Sequence, residues 1–452
     1  MATRIYRTST AGSQTTWTFS GWLKRGKIAS GSHMTISGLV DANNWTQCYF
    51  TSSDKFKIAN YSSSSTDGSF ETSRRFRDGS AWYHLVVIWD TTNGTPADRV
   101  RLYINGERIT EGTQSNPSAS AASVINTNSS VTSLGGHSLA SEDFYGCMSH
   151  CHFIDGTAYE PSVFGETDST SGIWKIKTSP SVTYGTNGWF LKMQDRTNLD
   201  LDSGTNAFTM TTSGTGTATY DSPSNNFAVL NPVQIGAGFS GLSNGNTTLS
   251  LSDYSFNARS SLAMPGGKWY WEGKQSDKDV RFGVTTSNSN VNLDTDSSNF
   301  IWGDSGNGGI HLALSSASTS WQLTNNDITQ SITTYTSGVG SGVDDIIMVA
   351  LNVDTGKMWI GLNGTWFDSG DPAAGTNEIM TMTNGSPDPL CVFAGFGTSS
   401  ARVLDMNFGN GYFGTVAVSS ANADDAGIGA FEYEPPTGFY ALCTKNLKAY
   451  GG

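Results

Sequence analysis

Hydrophobic and polar positions alternate with a period of two along most of this chain, in short runs that end at Gly, Asn or Asp. That pattern predicts half-buried strands joined by tight turns. In residues 17–24, Trp17, Phe19, Gly21 and Leu23 fall on one strand face, and Thr18, Ser20, Trp22 and Lys24 on the other. Residues 45–50 and 55–61 read as further strands, whereas the run from Trp82 to Trp89 is apolar almost throughout, which suits the middle of a sandwich. Val100, Leu102 and Ile104 then face inward, Arg101 and Tyr103 outward, before a turn at Asn105-Gly106. In the second half Val349, Leu351 and Val353 alternate inward, Gly356 supplies the positive φ of a turn, and Met358, Ile360 and Leu362 return as a hairpin. No stretch joins helical periodicity to good helix formers for more than a few residues. The prediction is an all-β chain.

Length changes the picture to two domains, because 452 residues exceed one ordinary domain and each half can bury a sandwich core unaided. Residues 200–240 are rich in Ser, Thr, Gly and Asn. They read as an extended connector, giving a first sandwich over 1–200, a connector over 201–235 and a second sandwich over 236–452. The five cysteines have no framework spacing and are expected to be free and mostly buried.

Charge excludes some partners. The net charge is −13, with 17 basic against 19 acidic residues in 1–235 (−2) and 9 against 20 in 236–452 (−11). The largest basic cluster is Arg74, Arg75 and Arg77, too small to track a phosphate backbone, so nucleic acid is not an expected partner. The N-terminal residues lack the apolar core of a signal peptide, and no run is long enough for a membrane helix. The expectation is a product of a cytoplasm that stays there or leaves by lysis, with no membrane insertion.

Candidate chemistry is sparse. A retaining glucanase needs two carboxyls about 5–5.5 Å apart, and the nearest acidic pairs, Glu107/Glu111 and Glu432/Glu434, flank turns. Gly241-Leu-Ser-Asn-Gly245 matches a nucleophile-elbow string without the buried strand before it or the helix after it. Cys147, His150, Cys151 and His152 look like a metal cluster as a string. On a regular strand, however, the two cysteines share one face and the two histidines the other, so four ligands cannot close a tetrahedral site. No cofactor is expected; calcium is the one candidate, at Asp41–Asn44 or Asp294–Asp296, with no defined site. Trp45, Trp302, Trp321 and Trp366 are flanked by small polar residues and are the candidates for stacking on sugar rings or for an interface, against a competing reading as core or edge packing.

Trp82-Tyr-His, Leu102-Tyr-Ile-Asn-Gly106 and a late Phe144-Tyr-Gly146 strand resemble the laminin-G and concanavalin-A-like jelly roll over residues 10–200. Three further motifs keep their order: Phe153-Ile-Asp-Gly156, Pro161-Ser-Val-Phe-Gly-Glu166 and Tyr184-Gly-Thr-Asn-Gly188. In that order they resemble virion proteins of tailed bacteriophages. The second half, through Gly266-Gly-Lys-Trp-Tyr-Trp-Glu272, Arg281-Phe-Gly-Val284, residues 344–366 and Pro435-Pro-Thr-Gly-Phe-Tyr-Ala-Leu-Cys443, resembles a SPRY recognition domain.

These resemblances imply a non-enzymatic structural protein on the exterior of a tailed-phage virion, as tail fibre, appendage or capsid decoration. It would bind host-surface glycans or neighbouring virion subunits and form a homo-oligomer. A glycan depolymerase on the same fold is the alternative, disfavoured by the missing carboxylate pair, and an intracellular SPRY adaptor is disfavoured by the phage-like first half. Arg4, Ile5, Tyr6 and Arg7 alternate basic and apolar ahead of the first sandwich, and are the candidates for an arm that adds a strand to a neighbouring subunit.

Overall fold

The computed structural model describes residues 3–28, 31–137, 142–235, 241–251, 257–276, 280–287, 310–314, 321–325, 328–332, 344–381, 389–396 and 402–451. It is all-β, as the alternation predicts, with one short α-helix among the described residues, Thr444–Tyr450. The chain divides into two compact units, Met1–Ala218 and Thr219–Gly452.

The first unit is a sandwich of an eight-stranded and a six-stranded sheet. In the six-stranded sheet Thr16–Arg25 lies between Gly146–Asp155 and Trp82–Asp90, and Trp82–Asp90 pairs in turn with Val100–Ile104. Trp17, Phe19, Leu23, Leu85, Val87, Trp89, Val100, Leu102 and Ile104 all enter the core between the sheets, matching the predicted inward faces. The other face of this sheet is also covered: Val86, Ile88, Tyr103, Ile154 and Phe190 pack with Phe164 and Tyr184 from the 156–190 segment. This roof is why the Trp82–Asp90 strand is apolar on both faces.

The eight-stranded sheet runs, from one edge to the other, Gly112–Ser115, Ser65–Arg75, Lys55–Ser62, Asn44–Phe50, His33–Asp41, Val131–Leu134, Arg4–Thr8 and Thr211–Ser213. Its inward residues include Ile5, Ile36, Cys48, Phe50, Phe56, Ile58, Phe70 and Leu134.

One expectation is corrected here. Arg4–Thr8 is not an arm: it pairs with Val131–Leu134 on one side and Thr211–Ser213 on the other, and Ile5 is buried in its own core. Both hydrogen-bonding edges of the segment are therefore occupied within the chain. The 201–235 stretch, expected as an extended connector held against a surface or flexible, is divided between the two units at Ala218/Thr219. Thr211–Ser213 closes the first unit's sheet, while Phe227, Ala228 and Leu230 are buried in the second unit. Small polar residues did not prevent strand pairing, since the backbone supplies those bonds.

The second unit contains two further sheets facing each other across a core that includes Trp269, Trp271, Val349, Leu351, Met358, Ile360, Val392 and Phe396. The predicted hairpin is present: Ile346–Asn352 pairs with Lys357–Leu362 in the register Val349↔Ile360 and Leu351↔Met358, and Gly356 takes φ 68°. Lys268–Gln275 is central to that sheet, and its far face carries Tyr270, packed with Trp359, Phe431 and Phe439 beneath the C-terminal segment.

Candidate functional site

The six-stranded sheet of the first unit is roofed, whereas the outer face of the eight-stranded sheet carries the half-buried aromatics Trp45, Tyr49 and Tyr61 and is the candidate ligand face. Residues alternating with the core define that face: Trp45, Gln47 and Tyr49 on Asn44–Phe50, and Lys55, Lys57, Ala59 and Tyr61 on the adjacent strand. The register places Tyr61 beside Trp45, Ala59 beside Gln47 and Lys57 beside Tyr49. The Trp45 and Tyr61 rings stack with centroids 5.1 Å apart and planes 18° apart, both half-buried. A directly opposed pair of aromatics on two strands makes this stack possible.

Gln47 lies between Trp45 and Tyr49 along the strand and is only 8% exposed. Its side-chain amide makes no hydrogen bond among the described residues, and neither do the hydroxyls of Tyr49 and Tyr61. The residue as a whole is nearly buried, yet its amide atoms stay within reach of solvent and so of a ligand. Burial, reinforced by the charges of Glu142 and Glu71, pushes the Tyr49 phenol up to about 12, so it remains a neutral donor. The face thus combines a stacked aromatic pair at Trp45/Tyr61 with polar groups that make no hydrogen bond among the described residues, extending about 13 Å to Tyr49.

The other candidate tryptophans do not join it. Trp366 is half-buried on Thr365–Trp366 of the second unit, its ring edge-on to Tyr270 at 6.4 Å, as edge packing. Trp321 begins the strand Trp321–Asn325 in the second unit, and Trp302 lies outside the described residues. Tyr6 and Arg4 lie on the outer face of the same sheet as Trp45, three strands away, with the Arg4 guanidinium 4.6 Å from the Tyr6 ring centre. Arg7 points the other way, over Phe208 at 3.7 Å and toward the Asn187 carbonyl. Of the face, sequence reasoning found Trp45 alone. The period-two spacing of Trp45, Gln47 and Tyr49 was the available signal, but the pairing that brings in Tyr61 was not.

The motif residues 153–188 are structural. Asp155 accepts hydrogen bonds from the backbone N–H groups of Ser13 (2.8 Å) and Asn187 (3.0 Å) and from Asn126 Nδ2 (3.0 Å). Asn187 Oδ1 in turn accepts from the Thr10 N–H at 3.0 Å. Phe164 and Tyr184 belong to the roof.

Beneath that roof, Trp174 Nε1–H donates to His84 Nδ1 at 2.9 Å. An indole only donates, so the His84 proton sits on Nε2, which donates to Ser20 Oγ at 2.9 Å. Burial holds the His84 imidazole down at about 3. Ser20 and His84 are adjacent, but His84 points a proton at the hydroxyl instead of a lone pair, the reverse of an activated nucleophile.

The cysteine-histidine string departs from its expected strand. Ser149 pairs with Trp22 and His152 with Ser20, so His150 and Cys151 oppose Gly21 alone in a β-bulge, with His150 at φ 48°. The bulge puts Cys147 on the outer face with Lys24 and sends Cys151 into the core, correcting the shared face predicted for the two cysteines. All five cysteines are free, and four are buried. Among the described residues no three His, Cys, Asp or Glu side chains converge as a metal site. At the candidate calcium loop, Asp41 Oδ1 is already taken by the Asn43 N–H (2.7 Å) and Asn44 Nδ2 (3.0 Å); residues 294–296 lie outside the described residues. Ser243, of the elbow string, lies in a two-residue strand followed by a kinked turn, Asn244–Asn246.

In the second unit Glu272 is fully buried. Its Oε1 accepts from Tyr270 OH and the Tyr433 N–H, both at 2.9 Å; its Oε2 accepts from the Glu432 N–H (3.0 Å) and Asn407 Nδ2 (3.1 Å). Burial pushes the carboxyl up to about 7, against these four donors, which favour the ionised form. The group fastens the 431–433 segment to the sheet.

Among solved structures the chain is similar to the SPRY domain of human HERC1 (13% identity, TM-score 0.28, covering 39% of this chain and 96% of that one). It is also similar to a heptameric SAP-like pentraxin from Limulus polyphemus (13%, 0.28, 41% and 89%). A third is domain 4 of AbnA, a GH43 extracellular arabinanase from Geobacillus stearothermophilus, in complex with arabinotriose (19%, 0.27, 35% and 69%). No curated protein matches the chain. Residues 4–163, most of the first sandwich, match the family model of the concanavalin A-like lectin/glucanases superfamily.

Proposed function

We propose that this protein is a non-enzymatic glycan-binding protein whose first unit holds carbohydrate on the outer face at Trp45, Tyr61, Gln47 and Tyr49. The observation that carries the reading is the stacked Trp45–Tyr61 pair, with the solvent-reachable Gln47 amide and the Tyr49 hydroxyl, which make no hydrogen bond among the described residues, alongside it on the same face. A sugar offers an apolar C–H face to an aromatic ring and hydroxyls to amides and phenols at its edge, so one ligand satisfies both features. The concanavalin A-like match over 4–163 supports the same class. The non-catalytic reading is supported by the direction of the Ser20–His84 hydrogen bond and by Glu107 and Glu111, both exposed near a turn.

The place of action proposed is the exterior of a tailed-phage virion, as fibre, appendage or capsid decoration, made in the host cytoplasm and released by lysis. The ordered motifs at 153–156, 161–166 and 184–188 support it. Other virion proteins and further copies of the chain are the proposed partners.

Affinity electrophoresis through gels of host-surface polysaccharides tests the binding. Wild type should be retarded in at least one gel, and Trp45→Ala should lose about tenfold or more in affinity with its fold retained. Equal retardation of the two proteins in every gel would remove Trp45 from the site. Release of reducing ends by wild type, lost on Glu107→Gln or Glu111→Gln, would establish the depolymerase alternative instead.

A further inference from the structure

We infer that the glycan held on this face is acidic, carrying carboxylates along its chain; the inference rests on the glycan-binding reading above. In a protein of net charge −13, the Tyr49 end of the face is locally basic. Lys57 is registered beside Tyr49, and Lys55 lies two residues away on the same strand face, its Cα partner being Arg75. The acid among them is Glu71, whose carboxylate is shared: Lys55 Nζ and Lys57 Nζ each approach it at 3.5 Å. One carboxylate cannot neutralise both lysines, and Arg75 is exposed and forms no ion pair among the described residues. Glu142 also acts on Tyr49, and its 3.3 Å contact with His137 is an ion pair only when that histidine is protonated, so the balance around Tyr49 is three cations, Lys55, Lys57 and Arg75, against the two carboxylates of Glu71 and Glu142.

The excess positive charge begins where the aromatic pair ends. A chain of sugars stacked on Trp45/Tyr61 and running along Asn44–Phe50 would bring its next residues over Gln47, then Tyr49 and Lys57. A neutral glycan would leave the lysines solvated and unused. A uronic-acid glycan places a carboxylate where Lys57 and the protonated Tyr49 hydroxyl can both donate to it, and charge-assisted bonds of this kind are the stronger ones. Lys55 and Lys57 keep about a third of their side-chain surface exposed (31% each), so they can turn from Glu71 to a ligand without unfolding anything.

The test uses the full chain and three polymers, alginate, polygalacturonate and hyaluronate, each paired with its own carboxyl-reduced, neutral form. Wild type should prefer at least one acidic polymer over its reduced partner by tenfold or more, with the preference shrinking as salt is raised. Lys55→Gln/Lys57→Gln should abolish the preference while leaving residual binding that still depends on Trp45, and Glu71→Gln should strengthen acidic binding several-fold. Equal binding of acidic and reduced forms, or a preference indifferent to the lysine pair, overturns this inference and leaves the glycan reading standing. Binding that is absent from every polymer, or unaffected by Trp45→Ala, overturns the glycan reading itself.

Discussion

Glu272→Gln converts the buried carboxyl of the second unit into a group that cannot titrate, which isolates its contribution to stability. Its pKa rises from 4.5 in the open chain to about 7 in the fold, chiefly through burial, with four neutral hydrogen-bond donors on the carboxylate. A raised pKa means that the folded state binds the proton more tightly. The contribution to stability is therefore fully present below pH 4.5 and is lost as pH rises through 7. The whole swing is about 3 kcal/mol, of which about 2 kcal/mol falls between pH 5.5 and 8.5. The variant's amide replaces one acceptor oxygen with a donor, leaving about one backbone N–H unpaired at a cost of roughly 1–3 kcal/mol that does not vary with pH. Asp405 is also raised by burial, so the raw pH dependence of either protein mixes two groups, and the difference between the proteins does not. Native-state hydrogen exchange on peptides covering 268–275 and 430–434, corrected for intrinsic exchange rates, reads the opening free energy of this unit without assuming that both units unfold together. The stability of wild type minus that of the variant should fall by about 2 kcal/mol from pH 5.5 to 8.5. A difference flat to within about 0.5 kcal/mol, or rising, would refute the account of a carboxyl held against its desolvation by four neutral donors.

Arg25→Ala should destabilise the first unit by about 3–5 kcal/mol, because Arg25 (1% exposed) is one of two cations facing the fully buried Asp54. Arg77→Ala, at the half-exposed second cation, should cost about 1 kcal/mol or less, and urea melts of the two variants compare them. Deleting residues 1–8 should lower the melting temperature of the first unit by several degrees or prevent its folding, since the deletion removes Ile5 from the core and a strand from between two others. An unchanged melting temperature would restore the free-arm reading.

The period-two alternation at 17–24, 100–104 and 349–362 determined the strands, their inward faces and the hairpin at Gly356, because a strand's two faces are written in every second residue. The apolar run from Trp82 to Trp89 likewise announced a strand covered on both sides, though not what covers it. Trp45 was legible as an aromatic in polar company. Tertiary structure decided what depends on residues far apart in sequence. It decided that Tyr61 stacks on Trp45, that Lys57 stands beside Tyr49, and that Thr211–Ser213 reaches back to Arg4–Thr8. It also decided that a bulge at His150 sends Cys147 and Cys151 to opposite faces, and that Glu272 meets the N–H groups of Glu432 and Tyr433. The physical reason is that alternation is a property of one strand, whereas register, bulges and cross-strand neighbours are properties of pairs, set by packing and hydrogen bonding between segments that the sequence does not place side by side.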